Sequence, residues 1–428
     1  MNEERSRESS VAAQDIAVWV GLDWATEEHK ICSYEVDTGK IQSRSLKHSA
    51  EALQQWLVDM RKQYGGAKVG IVLEQSRGAV LYALMNCDFL VLYPVNPQSL
   101  ASYRKAFYTS GAKDDPDDAM LLMEMVRKHP DRFRAWKAED EDTRTLRLLV
   151  EGRRKLVDQM TSLTNQLNSA LKNYFPQALE WVGESGSLQA CDFLQRWSTL
   201  SALQKVRPEV LRKFYVRHGS RKAETIDRRI GEIKKAVPLT TDKAAIMTGS
   251  MMVKAIVAQI RPLIESIEIY DQQIKQFFRK HPDRPVFESF PGAGSALAPR
   301  LLAVFGVDRE RWTSAAEIQT FSGIAPVTER SGKSCWVHWR FACPKFVRQT
   351  FHEFAGSSIV WCKWAKGYYQ SMRERGKPHQ AAVRALAYKW IRILFACWKN
   401  RMPYNDEIFM QSLGRRGSHL VGRAAGLN

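Results

Sequence analysis

The chain lacks the pairings that cysteine chemistry needs. Its seven cysteines, at 32, 87, 191, 335, 343, 362 and 397, include no CxxC pair. That argues against a zinc ribbon or a disulfide framework and for reduced, mostly buried thiols. Apolar runs approaching the ~20 residues of a membrane span are also missing. The opening residues, Met1-Asn-Glu-Glu-Arg-Ser-Arg-Glu, hold no signal-peptide core, so the expectation is a cytoplasmic protein without a membrane partner. Negative charge is in deficit: 46 Asp and Glu stand against 64 Lys and Arg, a net +18. Such an excess suits a polyanionic partner, either nucleic acid or an anionic membrane surface. A hydrophobic content of 44% over 428 residues fits two or three globular domains.

Residues 1–15 are polar and read as a disordered tail. Strands are expected at 17–22, 30–36, 41–47, 68–73 and 89–94, with helices near 49–63, 77–87 and 116–128. Three strands in a row followed by strand–helix alternation predict a mixed sheet covered by helices over 16–135. From 136 to 284 the pattern turns helical. Leu156, Met160, Leu163, Leu167, Ala170 and Tyr174 keep a 4,3 spacing, and a second seam runs from Val253 through Ile260 and Ile267 to Phe277. The seams suit an antiparallel hairpin, a dimer contact, or amphipathic helices packed on their own domain. Pro262 should kink the second helix or mark its first turn. Residues 176–250 read as a helical insertion in which Ile226, Ile230, Ile233 and Val237 form one amphipathic helix. A mainly α-helical domain follows over 285–415, then a tail at 416–428. Its opening, Phe290-Pro-Gly-Ala-Gly294, suits a helix–hairpin–helix, with Gly292 and Gly294 allowing backbone N–H groups to meet a phosphate.

Four carboxylates carry the chemistry. Asp23 ends the run Val18-Trp-Val-Gly-Leu22, and Glu74 ends Val69-Gly-Ile-Val-Leu73. In Lys113-Asp-Asp-Pro-Asp-Asp-Ala119 an i, i+3 acidic pair shares a helix face, either Asp114/Asp117 or Asp115/Asp118. Each acid alone also suits a helix cap or a solvated edge. Together, in this order, they match an RNase H-like nuclease arrangement. There carboxylates hold two Mg²⁺ ions (Mn²⁺ as substitute) about 3.5–4 Å apart for phosphodiester chemistry.

The ordered motifs Gly21-Leu-Asp23-Trp-Ala, Leu73-Glu74-Gln-Ser-Arg-Gly78, Tyr93-Pro-Val-Asn-Pro97 and Lys113-Asp-Asp115-Pro-Asp-Asp118-Ala119 resemble the DEDD transposases of insertion-sequence family one-ten and its sister group eleven-eleven. Phe290-Pro-Gly-Ala-Gly294, Phe321-Ser-Gly-Ile-Ala-Pro326, Ser331-Gly332, Arg375-Gly-Lys and Met402-Pro-Tyr404 extend the likeness. The resemblance implies a RuvC-like domain, a coiled-coil linker and a C-terminal transposase domain. It selects Asp23, Glu74, Asp115 and Asp118 as the metal-binding tetrad, and Ser331 as a nucleophile forming a covalent 5′-phosphoserine. It further implies an RNA-guided recombinase that cuts and rejoins donor and target DNA. The expected partners are a structured RNA from its own element and other copies of the chain, as a dimer or tetramer. A bacterial, nucleoid-associated setting goes with it. Arg330 and Lys333, flanking the serine, and Arg340 are candidate phosphate contacts. The Trp, Tyr, Lys and Arg interleaved after Ser331 suit backbone contact and base stacking. The alternative is a RuvC-like, metal-dependent nuclease that cuts branched DNA with water and needs the acids but not Ser331.

Overall fold

The computed structural model describes residues 15–74, 78–107, 118–418 and 420–425. The expected tail over 1–15 lies almost wholly outside them. The chain divides into two units, residues 1–138 and 139–428, each considered by itself.

The first unit is a five-stranded mixed sheet. β1 (Ile16–Asp23), β2 (Glu28–Glu35) and β3 (Ile41–Lys47) form an antiparallel meander. After α1 (Ala50–Tyr64), β4 (Lys68–Leu73) pairs parallel to β1. Then come α2 (Ala79–Leu84), β5 (Leu90–Pro94), α3 (Pro97–Phe107) and α4 (Asp118–Lys128). The strand order is β3-β2-β1-β4-β5. β1 and β4 are covered on both faces, which is why they read as unbroken apolar runs. Val18, Val20, Leu22, Ile71 and Leu73 pack toward one core. Trp19, Cys32 and Val72 pack toward α4 on the other face.

The second unit is helical apart from one hairpin. α5 (Glu141–Tyr174) leads into five shorter helices: α6 (Ala178–Trp181), α7 (Leu188–Arg196), α8 (Leu200–Gln204), α9 (Pro208–Arg217) and α10 (Ala223–Lys235). Ile226, Ile230 and Ile233 are buried on α10 as expected, but Val237 lies past its end and is exposed. α11 (Lys243–Lys280) then returns along α5. Thr143 bonds His281, Arg153 grips Asp271 and Gly249 lies on the Tyr174 ring, so the two seams form an antiparallel pair within one chain. α11 begins at Lys243 behind an Asp242 cap, so Pro262 sits in mid-helix rather than in the first turn. Two cores flank this pair. Leu167, Leu171, Val253 and Ile260 join the insertion's core, while Leu146, Val150, Ile274 and Phe278 join the C-terminal core. Between them Leu156, Met160, Leu263 and Ile267 are only half-buried. α11 is also the one described helix with the length and apolarity of a membrane span; its buried residues belong to these two cores.

The C-terminal part holds α12 (Arg284–Glu288), α13 (Gly294–Phe305), α14 (Ala315–Phe321), β6 (Val327–Ser331), β7 (Ser334–His338), α15 (Lys345–Trp361), α16 (Lys363–Glu374), α17 (His379–Lys399), α18 (Asp406–Arg415) and α19 (Leu420–Ala425). Trp364, Trp390 and Trp398 are fully buried in its core. Most of the aromatics in the basic region thus serve packing. Cys32, Cys191 and Cys362 are buried thiols, whereas Cys335 on β7 is exposed.

Candidate active site

Side chains alternate along β1, and that alternation decides where Asp23 points. Trp19 faces α4, so Gly21 and Asp23 share its side. Gly21 packs against the backbone of Ala119 and Met123 on α4. On β4, Val72 faces the same side, and the next residue in phase is Glu74. Leu73 pairs with Leu22, so Asp23 and Glu74 leave the carboxyl ends of neighbouring parallel strands. Asp118 opens α4 one residue before Ala119. Asp23 and Glu74 therefore leave the sheet on the side that α4 covers, and Asp118 is the first residue of that helix. Asp115, like Asp114 and Asp117, lies outside the described residues. Among the described residues no three metal-ligating side chains stand close enough together to hold an ion.

Asp118 is ion-paired with Arg104 of α3. The sequence reading contained neither Arg104 nor its helix, although a signal was present. Asn96 caps α3 by accepting from Gln98 N at 2.9 Å, and Pro97 sits in its first turn. Tyr93, from the same motif, packs at a tilt against Trp19, ring centroids 5.3 Å apart.

Behind Asp23 the chain turns through residues 24–27, and a buried histidine ties that loop. Ala25 N donates to His29 Nδ1 at 3.2 Å, and His29 Nε2 meets His48 Nδ1 at 3.0 Å. A backbone N–H can only donate, so His29 Nδ1 is unprotonated and Nε2 carries the hydrogen. Burial, and then His48, hold the His29 pKa below its ordinary value.

Ser331 is the last residue of β6, paired with Ser334 across a two-residue loop. Gly332 opens that loop with φ 56°, the Gly-first arrangement of a tight hairpin. Every residue of the hairpin except Val327 is exposed. The hydroxyl thus stands at the hairpin tip, exposed to solvent. Glu329, two residues back on the same face, bonds His338 Nε2 at 2.7 Å and raises the imidazole pKa. Arg330 points to the opposite face, and Lys333 forms the loop with Gly332. Arg340 lies beyond the hairpin's root and is partly buried. Gly292 is closely packed, its carbonyl accepting from Ser357 Oγ at 2.8 Å; Gly294 starts α13 and is exposed.

Two family models match this chain. One, a DEDD transposase model of IS110 type, covers residues 20–176, and one described as the transposase IS116/IS110/IS902 family covers 284–370. A mini-circle putative transposase for IS117 from Streptomyces coelicolor is 26% identical over 92% of this chain and 96% of its own length. The insertion element IS110 uncharacterized 43.6 kDa protein of the same organism is 26% identical over 92% of this chain and 98% of its own. The insertion element IS900 uncharacterized 42 kDa protein of Mycobacterium paratuberculosis is 23% identical over 91% and 97%. The class these matches define is a DNA transposase. The chain belongs to the IS110 family of DEDD transposases.

Proposed function

We propose that the chain is the RNA-guided recombinase of an insertion sequence, cutting and rejoining donor and target DNA. The observation that carries this is the position of Asp23 and Glu74 at the carboxyl ends of neighbouring strands, on the face covered by the helix that Asp118 opens. The strand order, with an antiparallel meander beside parallel β1, β4 and β5, supports an RNase H-like sheet. Asp23, Glu74 and Asp118, with Asp115, are the residues to hold a pair of Mg²⁺ ions; hard carboxylate oxygens fit that ion. Bound there, the ions would neutralise phosphate charge and favour an alkoxide.

Ser331 supplies the nucleophile. Its Oγ attacks the scissile phosphorus, a P–O3′ bond breaks, and the DNA leaves with a free 3′-OH while its 5′-phosphate is esterified to serine. The serine proton passes to solvent and the leaving 3′-oxygen takes one up. In rejoining, a 3′-OH attacks the phosphoserine and restores the hydroxyl, so no outside energy source is needed. Exposure at a hairpin tip suits a group that must enter a DNA backbone. The exposed Trp336 beside it suits base stacking. The charge excess supports two nucleic-acid partners, and the reading includes an element-encoded guide RNA and assembly as a dimer or tetramer.

The test is a covalent protein–DNA adduct formed with the element's own DNA and RNA in Mg²⁺. Wild type should form it; Ser331→Ala and Asp23→Ala should not. Cleavage that survives in Ser331→Ala without an adduct would assign the chain to water-using nucleases instead. Full activity in Asp23→Ala would remove the acidic site.

A further inference from the structure

At the root of the Ser331 hairpin, immediately after β7, the Trp339 ring carries two guanidiniums. Arg384 of α17 stands 4.0 Å from its centroid and Arg348 of α15 stands 5.0 Å away. All three side chains are partly buried. Arg348 gives one N–H to the Arg340 carbonyl at 3.3 Å, and the Nε of Arg340 is itself buried without a partner.

Three other arginines of this unit that are buried or partly buried each hold a carboxylate. Arg309 holds both oxygens of Asp283, Arg311 holds Glu139, and Arg300 holds Glu353. No carboxylate pairs with Arg348 or Arg384 among the described residues. The nearby Glu353 is already committed to Arg300 and Arg154. Each guanidinium has five donors, and the contacts above use few of them. A ring face does less for a cation over it than a paired carboxylate would. Two cations with no carboxylate partner held on one ring, with burial and then Arg348 lowering the Arg384 pKa, are an incomplete arrangement. An anion with several acceptor oxygens completes it, and guanidiniums match phosphate oxygens in pairs.

We propose that Arg348 and Arg384, braced on Trp339, form a clamp for a backbone phosphate of the DNA strand whose scissile phosphodiester meets Ser331. From the hairpin tip to its root is roughly 13 Å at ~3.3 Å per residue. That corresponds to about four nucleotides at ~3.4 Å of rise each. The clamp thus fixes the strand's register a few nucleotides from the cut. This inference rests on the recombinase reading, but its test is separable from that reading's adduct assay.

Binding of a labelled DNA oligonucleotide, single- or double-stranded, is measured on the full chain in EDTA, against salt, in a Ser331→Ala background. No chemistry is then involved, so failure of the adduct assay leaves this result standing, and the reverse holds too. Each phosphate contact contributes about 0.7–0.9 to the slope of log K against log salt. Arg384→Gln and Arg348→Gln should each flatten the slope by about that amount. Arg384→Lys, which keeps the charge, should restore most of it. Because Arg384 packs on Trp339, Arg348→Gln on a separate helix is the second variant should the first fail to fold. An unchanged slope in Arg348→Gln overturns the clamp. So does a slope change seen with an RNA oligonucleotide of the same sequence and not with DNA.

Discussion

Gly21 on β1 and Ala119 on α4 touch backbone to backbone. A Cβ at position 21 would overlap the Ala119 carbonyl and stand 2.9 Å from Met123 N. This contact fixes the spacing between β1, which carries Asp23 two residues on, and the start of α4, where Asp118 lies one residue back. Gly21→Ala must push β1 and α4 apart. The expected cost is about 3 kcal/mol, the upper end for overpacking, with adduct formation lost alongside. Urea unfolding of the variant checks it. A midpoint unchanged from wild type would show that the strand and helix separate freely.

Arg104 competes for Asp118 with any cation brought to that carboxylate. An ion pair this exposed is worth about 0.2–1 kcal/mol. Arg104→Gln should therefore lower the Mg²⁺ concentration for half-maximal adduct formation by up to about fivefold. A higher requirement would mean that Arg104 orients Asp118 instead of masking it.

The His29 ring has no room for an extra proton. Protonating it at Nδ1 removes the acceptor for Ala25 N–H. With the folded His29 pKa below its ordinary 6.5, the folded state binds the proton less readily than the unfolded chain. Stability is complete above 6.5, declines as pH falls through that value, and levels off below the folded pKa. The urea midpoint of the first unit should fall on going from pH 7.5 to pH 5. His29→Asn, whose amide oxygen can still accept from Ala25, should flatten the fall. An equally steep fall in that variant would place the titrating group elsewhere.

Asp283 and Arg309 form a buried two-pronged pair at 2.6 and 2.8 Å. Asp283→Asn leaves a buried guanidinium without its counter-charge, and should cost roughly 3–5 kcal/mol. Asp227→Asn, in the exposed pair with Arg212, should cost less than about 1 kcal/mol. Denaturant unfolding of both variants gives the comparison; equal losses would contradict the role of burial.

What could be read from the sequence follows from which signals are local. β1 and β4 were legible because burial on both faces leaves continuous apolar runs, and the acids at their ends were legible with them. The seams were legible as heptads, but their pairing within one chain is a tertiary fact. α3 was missed although Asn96-Pro97 marks its start, and Arg104 was missed with it. The β6–β7 hairpin left no inside–outside alternation to detect, because nearly every residue in it faces solvent. Pro262 signals a break locally, yet α11 runs through it, its flanking turns held by packing against α5 and the two cores. Arg384 meets Trp339 only through the packing of α15 and α17, which no local spacing encodes.

The long pair of α5 and α11 also has a kinetic consequence. Residues 175–242 separate the two helices in the chain, and closing so long a loop by chance is slow. The insertion shortens the search. Its own core brings Tyr174 beside Ser198 and Gly249, with the tyrosine hydroxyl donating to the Ser198 carbonyl at 2.7 Å. From that end the helices can zip toward Thr143 and His281, each turn adding a local contact. The expected outcome of removing the insertion is slower formation of the hairpin, with less effect on the C-terminal core, which stopped-flow refolding checks.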